Sequence, residues 1–122
     1  PPALSEQEVS ALVDSAPGAT LDDFDAVCDH LARVHPSKYA RLVEGVPLVG
    51  LTGVHQLDSQ DVALRLVVLV DRLYDNDVPV AAAGESLGAI FTPEMLKGGY
   101  RKKYFRSLSR LAALAEMARD RT

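Results

Sequence analysis

Residues 98–111, GGYRKKYFRSLSRL, concentrate the side chains of this chain that could hold a charged ligand. Five of the thirteen Lys and Arg residues fall between Arg101 and Arg110. On a helix advancing about 100° per residue, Lys102, Lys103, Arg106 and Arg110 share one stripe, and Tyr104, Leu108, Leu111 and Ala115 share the opposite one. An apolar stripe anchors such a helix and aims its charge to one side. The Gly98-Gly99 pair lets the backbone turn sharply at the entrance. The pattern suits an anion, often a phosphate. By spacing alone an ordinary solvated helix face fits it better.

The rest of the catalytic inventory is thin. There is no phosphate-binding G-x-x-x-x-G-K-[ST] loop and no G-x-G-x-x-G motif. His30, His35 and His55 lack metal-ligand spacing with one another. His30 beside Asp29, or His35 with Cys28, could form a catalytic pair, but Cys28 falls on the apolar face of a helix, where a small buried hydrophobe is expected. Asp22, Asp23, Asp25 and Asp29 spread around a helix instead of converging on a cation, and acids in a first turn favour the helix dipole. Asp71 and Asp75 stand one turn apart; salt bridges to Arg72 or Arg65, or a solvated edge, suit them better than a metal. No catalytic residue and no metal ligand is expected.

The elements that must position these residues follow from periodicity and caps. Ser5 and Glu8 make a capping box for a helix near 6–14, and SAPGA (15–19) is a turn-rich linker. Thr20 and Asp23 suit the start of a second helix with Leu21, Phe24, Val27, Cys28, Leu31 and Val34 on one face. Pro36-Ser37 opens a third short helix that Gly45 closes. PLVGLTGV (47–54) and VPVAAAG (78–84) read as buried strands around a long helix near 59–75, capped by Asp58 and Asp61. Thr92-Pro93-Glu94 starts a short helix, and a last helix runs from about 101 to 119. The expected fold is α/β, a short parallel βαβ sheet with several helices and a helical N-terminal third. An N-terminal helix and linker (1–19) precede a compact α/β unit (20–122). Two parallel strands make a poor sheet, so strands from outside the chain, or unusual helical cover, are expected to complete it.

With 122 residues, 48% of them hydrophobic, the chain can bury one core. The net charge of −4 argues against a nucleic-acid binder. Residues 1–32 hold seven acids and no Lys or Arg, whereas 97–110 hold six bases and no acid: one basic surface on an acidic body. A lone cysteine fits a reducing cytoplasm, and the apolar runs are too short to span a bilayer. With no initiator Met and an opening Pro1-Pro2, the chain reads as a piece of something longer.

Three segments together resemble a known family. FDAVCDHL (24–31) is similar to its Phe-x-x-Leu-Cys element, RLVVLVDRLYDNDVPV (65–80) to its Arg-Phe-Ile-x-Leu-Ile-Asp-x-Leu-Tyr-Asp-x-x-Val-x-Leu block, and FRSLSRL (105–111) to its terminal Arg-Thr-x-Ser-Arg-Leu. The family is the ZapE-like P-loop ATPases, bacterial cell-division proteins with mitochondrial relatives. FTPEMLKGGYRKKY resembles the longer version of high-GC Gram-positive members. Leu64 departs from a position where many members carry arginine, and Arg65 matches the next one.

The resemblance implies the C-terminal portion of a P-loop NTPase fold in a parent that binds ATP and Mg and hydrolyses ATP in cell division. Its first partner is then a nucleotide-binding core, with cell-division proteins as further partners. The family's Walker A lysine and Walker B acids lie upstream of the matching segments, so this chain alone is not expected to be catalytic. Arg110 and Arg106 match the terminal arginines and become candidate nucleotide-sensing residues. The competing role for Arg110 is a structural salt bridge to Asp71 or Asp75. A stand-alone protein-interaction or anion-binding module using the basic helix 101–110 is the alternative function. A small enzyme built on Cys28 and a histidine is the weakest.

Overall fold

A computed structural model describes residues 2–121. Helix α1 (Glu6–Asp14) begins at Ser5, whose side chain accepts from the Glu8 N–H at 3.1 Å while the Glu8 carboxylate accepts from the Ser5 N–H at 2.9 Å. Strand β1 (Thr20–Asp23) leads into helix α2 (Phe24–Arg33). A 3-10 turn (Pro36–Lys38), capped by His35, and helix α3 (Tyr39–Val43) follow. Strand β2 (Val49–Val54), helix α4 (Gln60–Asp75) and strand β3 (Val80–Gly84) form the central crossover. Two further 3-10 turns (Leu87–Ala89, Met95–Lys97) lead to helix α5 (Arg101–Arg119).

The sheet is parallel, in the order β1-β2-β3, with Thr20 opposite Val49 and Val49 opposite Val80. The crossover expected from residues 47–84 is therefore present, and a third strand joins it from within the chain. That strand is the correction to the N-terminal reading. Asp23 caps α2, its carboxylate accepting from the Ala26 N–H at 3.1 Å, so the helix starts after it. The three residues before Asp23 stay extended and pair with β2, which takes Leu21 off the helical face. Two boundaries also move. Ser59, not Asp58, caps α4, and Thr92 accepts from Met95 N–H at 3.1 Å to hold a 3-10 turn where a short helix was expected.

Both faces of β2 and β3 are covered, as a parallel sheet requires, while β1 stays largely exposed. Val80 and Ala82 of β3 face the larger core with Phe24, Leu31, Leu66, Val70 and Tyr104. Ala81 and Ala83 face the other way, against Val9 and Leu12 of α1 and Ala118 of α5. The N-terminal segment straps the far edge of β3, where the Leu4 N–H donates to the Ala82 carbonyl at 3.0 Å and the Arg119 guanidinium donates to the Pro2 carbonyl.

The fit of α1 onto the sheet depends on Gly50. A Cβ there would lie 2.6 Å from Val13 Cγ2 and 3.1 Å from both Val9 Cγ1 and the Thr20 carbonyl oxygen. Gly50→Ala should cost about 1–3 kcal/mol, the usual range for overpacking a filled interior, read as a lower urea midpoint. Trimming Val13 to Ala in the same chain should recover part of that loss, and an unchanged midpoint for Gly50→Ala would show that α1 does not press on the sheet.

Candidate functional site

Helix α5 buries Tyr104, Ser107, Leu111, Leu114 and Ala118, a stripe at helical spacing. The expected stripe is correct at Tyr104 and Leu111, while Leu108 and Ala115 are only half-buried at its margin. The Tyr104 ring packs on Phe91 with centroids 4.6 Å apart. This seating divides the basic residues. Arg106 and Arg110 turn toward α4, whereas Arg101, Lys102 and Lys103 remain exposed with Phe105. Arg101 donates to the Gly98 carbonyl at 3.2 Å, and Lys103 sits 5.6 Å from the Tyr100 ring centre.

Both inward arginines reach one carboxylate. Arg110 donates to Asp71 Oδ1 at 2.6 Å, and Arg106 approaches Oδ2 at a long 3.5 Å. The Arg110 guanidinium also lies over the Tyr74 ring at 4.7 Å, a cation–π contact. Side-chain exposure is 17% for Asp71, 28% for Arg110 and 45% for Arg106, so the tightest pair is also the most sheltered. Two guanidiniums on one carboxylate leave one positive charge in surplus, carried mainly by the looser and more exposed Arg106. Such a cluster can take an anion without dismantling its inner pair. Asp75 is engaged separately by Arg72, one turn away on α4, at 3.2 Å.

The reading from sequence left Asp71 and Asp75 open as the carboxylate beside Arg110, and the structure places Asp71 there. That reading missed Tyr74, although Tyr74 lies three residues beyond Asp71 and thus on the same side of α4.

The other candidates go to structural roles. Asp23 caps α2. His35 Nδ1 accepts from the Ser37 N–H at 3.1 Å. Among the described residues no group of three or more His, Cys, Asp and Glu side chains is placed to hold a metal. The segment Gly84-Glu85-Ser86-Leu87-Gly88 has the G-x-S-x-G spacing of a nucleophile elbow and follows β3, a signal missed in the reading from sequence. Its environment does not support that chemistry. The Ser86 hydroxyl accepts from the Gly88 N–H at 3.2 Å, and no hydrogen bond joins it to a base among the described residues.

The imidazole of His55 is committed elsewhere. His55 Nε2 meets Asp25 Oδ1 at 2.5 Å and Nδ1 meets the Gln56 carbonyl at 2.8 Å. Both partners are acceptors, so the ring satisfies both only as the imidazolium. The Asp25 hydrogen bond, with that of Gln56 behind it, raises the His55 pKa, and Glu85 adds to the rise. His55 thereby ties the end of β2 to the start of α2, with Phe24 edge-on to its ring at 5.4 Å.

Because folding raises this pKa, the contribution of His55 is complete below about pH 6.5, the ordinary imidazole value, and fades as pH climbs through the raised value. The urea midpoint of the wild type should exceed that of His55→Gln at about pH 6, and the gap should close by about pH 9. A gap independent of pH would remove the charged pair. Cys28 is buried, and desolvation, helped by Asp25, Asp29 and Asp23, pushes its thiol up to about 11. The native thiol should therefore resist an aromatic disulfide reagent at about pH 8 and react fully once the chain is unfolded. Rapid native modification would revive a thiol enzyme.

No curated protein and no solved structure matches the chain. No helix among the described residues is long and apolar enough to cross a membrane. The AFG1-like ATPase family matches across residues 5–120, a span that takes in α1, the sheet and the Asp71–Arg110 cluster. The chain belongs to the AFG1-like ATPase family.

Proposed function

We propose that this chain is the C-terminal part of a ZapE-like ATPase of the high-GC Gram-positive type, cytoplasmic and acting in cell division. In this reading a separate nucleotide-binding core supplies the phosphate cradle and the Mg ligands. The observation that carries it is the meeting of two resembling segments in one cluster, the LVDRLYD block through Asp71 and Tyr74 and the terminal FRSLSRL through Arg106 and Arg110. Bound ATP with Mg would supply the phosphoryl group to be transferred and most of its charge neutralisation. Asp71 and Tyr74 hold Arg110 at a fixed angle. Arg106 keeps most of its donors available, so the pair presents its surplus charge toward a terminal phosphate, where negative charge develops.

A second reading, an anion-binding or protein-interaction module acting alone, draws on Phe105 and Tyr100. Phe105 is 53% exposed, and both stand beside Arg101 and Lys102. Tripolyphosphate binding by the isolated chain that persists at about 0.15 M salt would favour it.

Arg110→Ala, made in the polypeptide that carries both the core and this domain, should lower ATP turnover by on the order of 10-fold or more, given what charge-stabilising arginines contribute in phosphoryl transfer. Normal turnover with a lowered melting temperature would assign Arg110 to holding α5 on α4 and nothing else.

A further inference from the structure

The solvent side of α5 is charged against its own helix and is self-complementary about Ser109. At about 100° per residue, Lys102, Phe105, Ser109, Ala112, Ala113 and Glu116 fall opposite the buried stripe of Tyr104, Ser107, Leu111, Leu114 and Ala118, and all six are exposed. Phe105, at 53%, is the most exposed large apolar side chain among the described residues. Two turns further along, Ala112 and Ala113 leave a shallow floor on the same side.

Lys102 stands in the first turn of α5 and Glu116 in the last. A helix carries partial positive charge at its N-terminus and partial negative charge at its C-terminus, so both side chains sit at the unfavourable end. Neither has an oppositely charged partner within salt-bridge distance among the described residues. An antiparallel neighbour corrects both placements, because its C-terminal turn lies beside Lys102 and its N-terminal turn beside Glu116. The spacing is symmetric as well. Lys102 and Glu116 each lie seven residues from Ser109, and Phe105 and Ala113 each lie four. Two copies of this face, set antiparallel with Ser109 against Ser109, bring Lys102 to Glu116 of the other copy and Phe105 to its Ala113, each contact made twice. A two-fold dimer demands such a patch, since the same surface must complement itself. A protein of unrelated sequence imposes no such symmetry.

We propose that the solvent side of α5 is the seam of a two-fold dimer of this chain, with the two α5 helices antiparallel and crossing at Ser109. Phe105 fills the floor formed by Ala112 and Ala113 of the other copy, where small side chains let the two helices approach closely. Lys102 pairs with Glu116 at each end of the seam. One helix from each copy covers less than the roughly 1,200 Å² at which stable interfaces begin, so the dimer is weak and exchanges readily. The Asp71–Arg110 pair lies on the flank of α5 turned to α4, and the inference does not depend on the nucleotide reading.

The test is sedimentation velocity of this chain from about 10 µM to about 1 mM, the range in which so small an interface associates. The mean mass should climb toward that of a dimer across the range. Phe105→Ser, at an exposed position, should keep the melting temperature and stay monomeric throughout. Lys102→Glu sets Glu against Glu116 of the other copy, and Glu116→Lys sets Lys against Lys102. Each alone should weaken dimerisation by roughly 10-fold, as facing like charges do, and the two together should restore it. A chain still monomeric at about 1 mM would overturn the proposal and leave the face to solvent or to a different protein. So would a dimer indifferent to Phe105→Ser, or one that the double exchange fails to restore.

Discussion

The central strands of a parallel sheet need cover on both faces, and meeting that need for β2 and β3 shapes the whole molecule. Three strands of four to six residues give little area to grip, so each face is matched closely to its cover. On one side the sheet is made shallow by Gly50, Ala81 and Ala83, which lets a two-and-a-half-turn helix lie directly on the backbone. On the other side the strands carry Val49, Leu51 and Val80, and larger helices stand off over bulkier side chains. Helix α5 serves both cores, with Tyr104 and Leu111 in one and Ala118 in the other. Its orientation is thereby fixed along its length, and the arginines it carries inherit that order.

The charge cluster is thus a product of packing. Tyr104 and Leu111 set the rotation of α5, while Val67 and Val70 set that of α4. Asp71 is then brought opposite Arg106 and Arg110 across 35 and 39 residues of chain. An exposed pair of this kind contributes little to stability. Sheltered to this degree and joined by a ring, it contributes more to direction than to energy, since a guanidinium held on two sides has few rotamers left.

Much of this was legible in the sequence because it is local. The capping box at Ser5, the apolar crossover from 47 to 84 and the terminal basic helix all declare themselves within a few residues. What escaped was non-local. Thr20–Asp23 is too short and too polar to announce a strand, and only pairing with Val49–Thr52 makes it one. The His55–Asp25 bond spans 30 residues with no periodic signal. Ser86 shows the converse, a spacing associated with catalysis whose hydroxyl merely caps a short turn. Cys28 and the arginine pair were read from helical faces, which the sequence encodes directly.

The strap over β3 brings residues near the two ends of the described chain together, Pro2 against Arg119 and Leu4 against β3. Order at one end is thereby coupled to order at the other: releasing the strap uncovers the outer edge of β3 and removes a partner of Arg119 at the close of α5 in the same event.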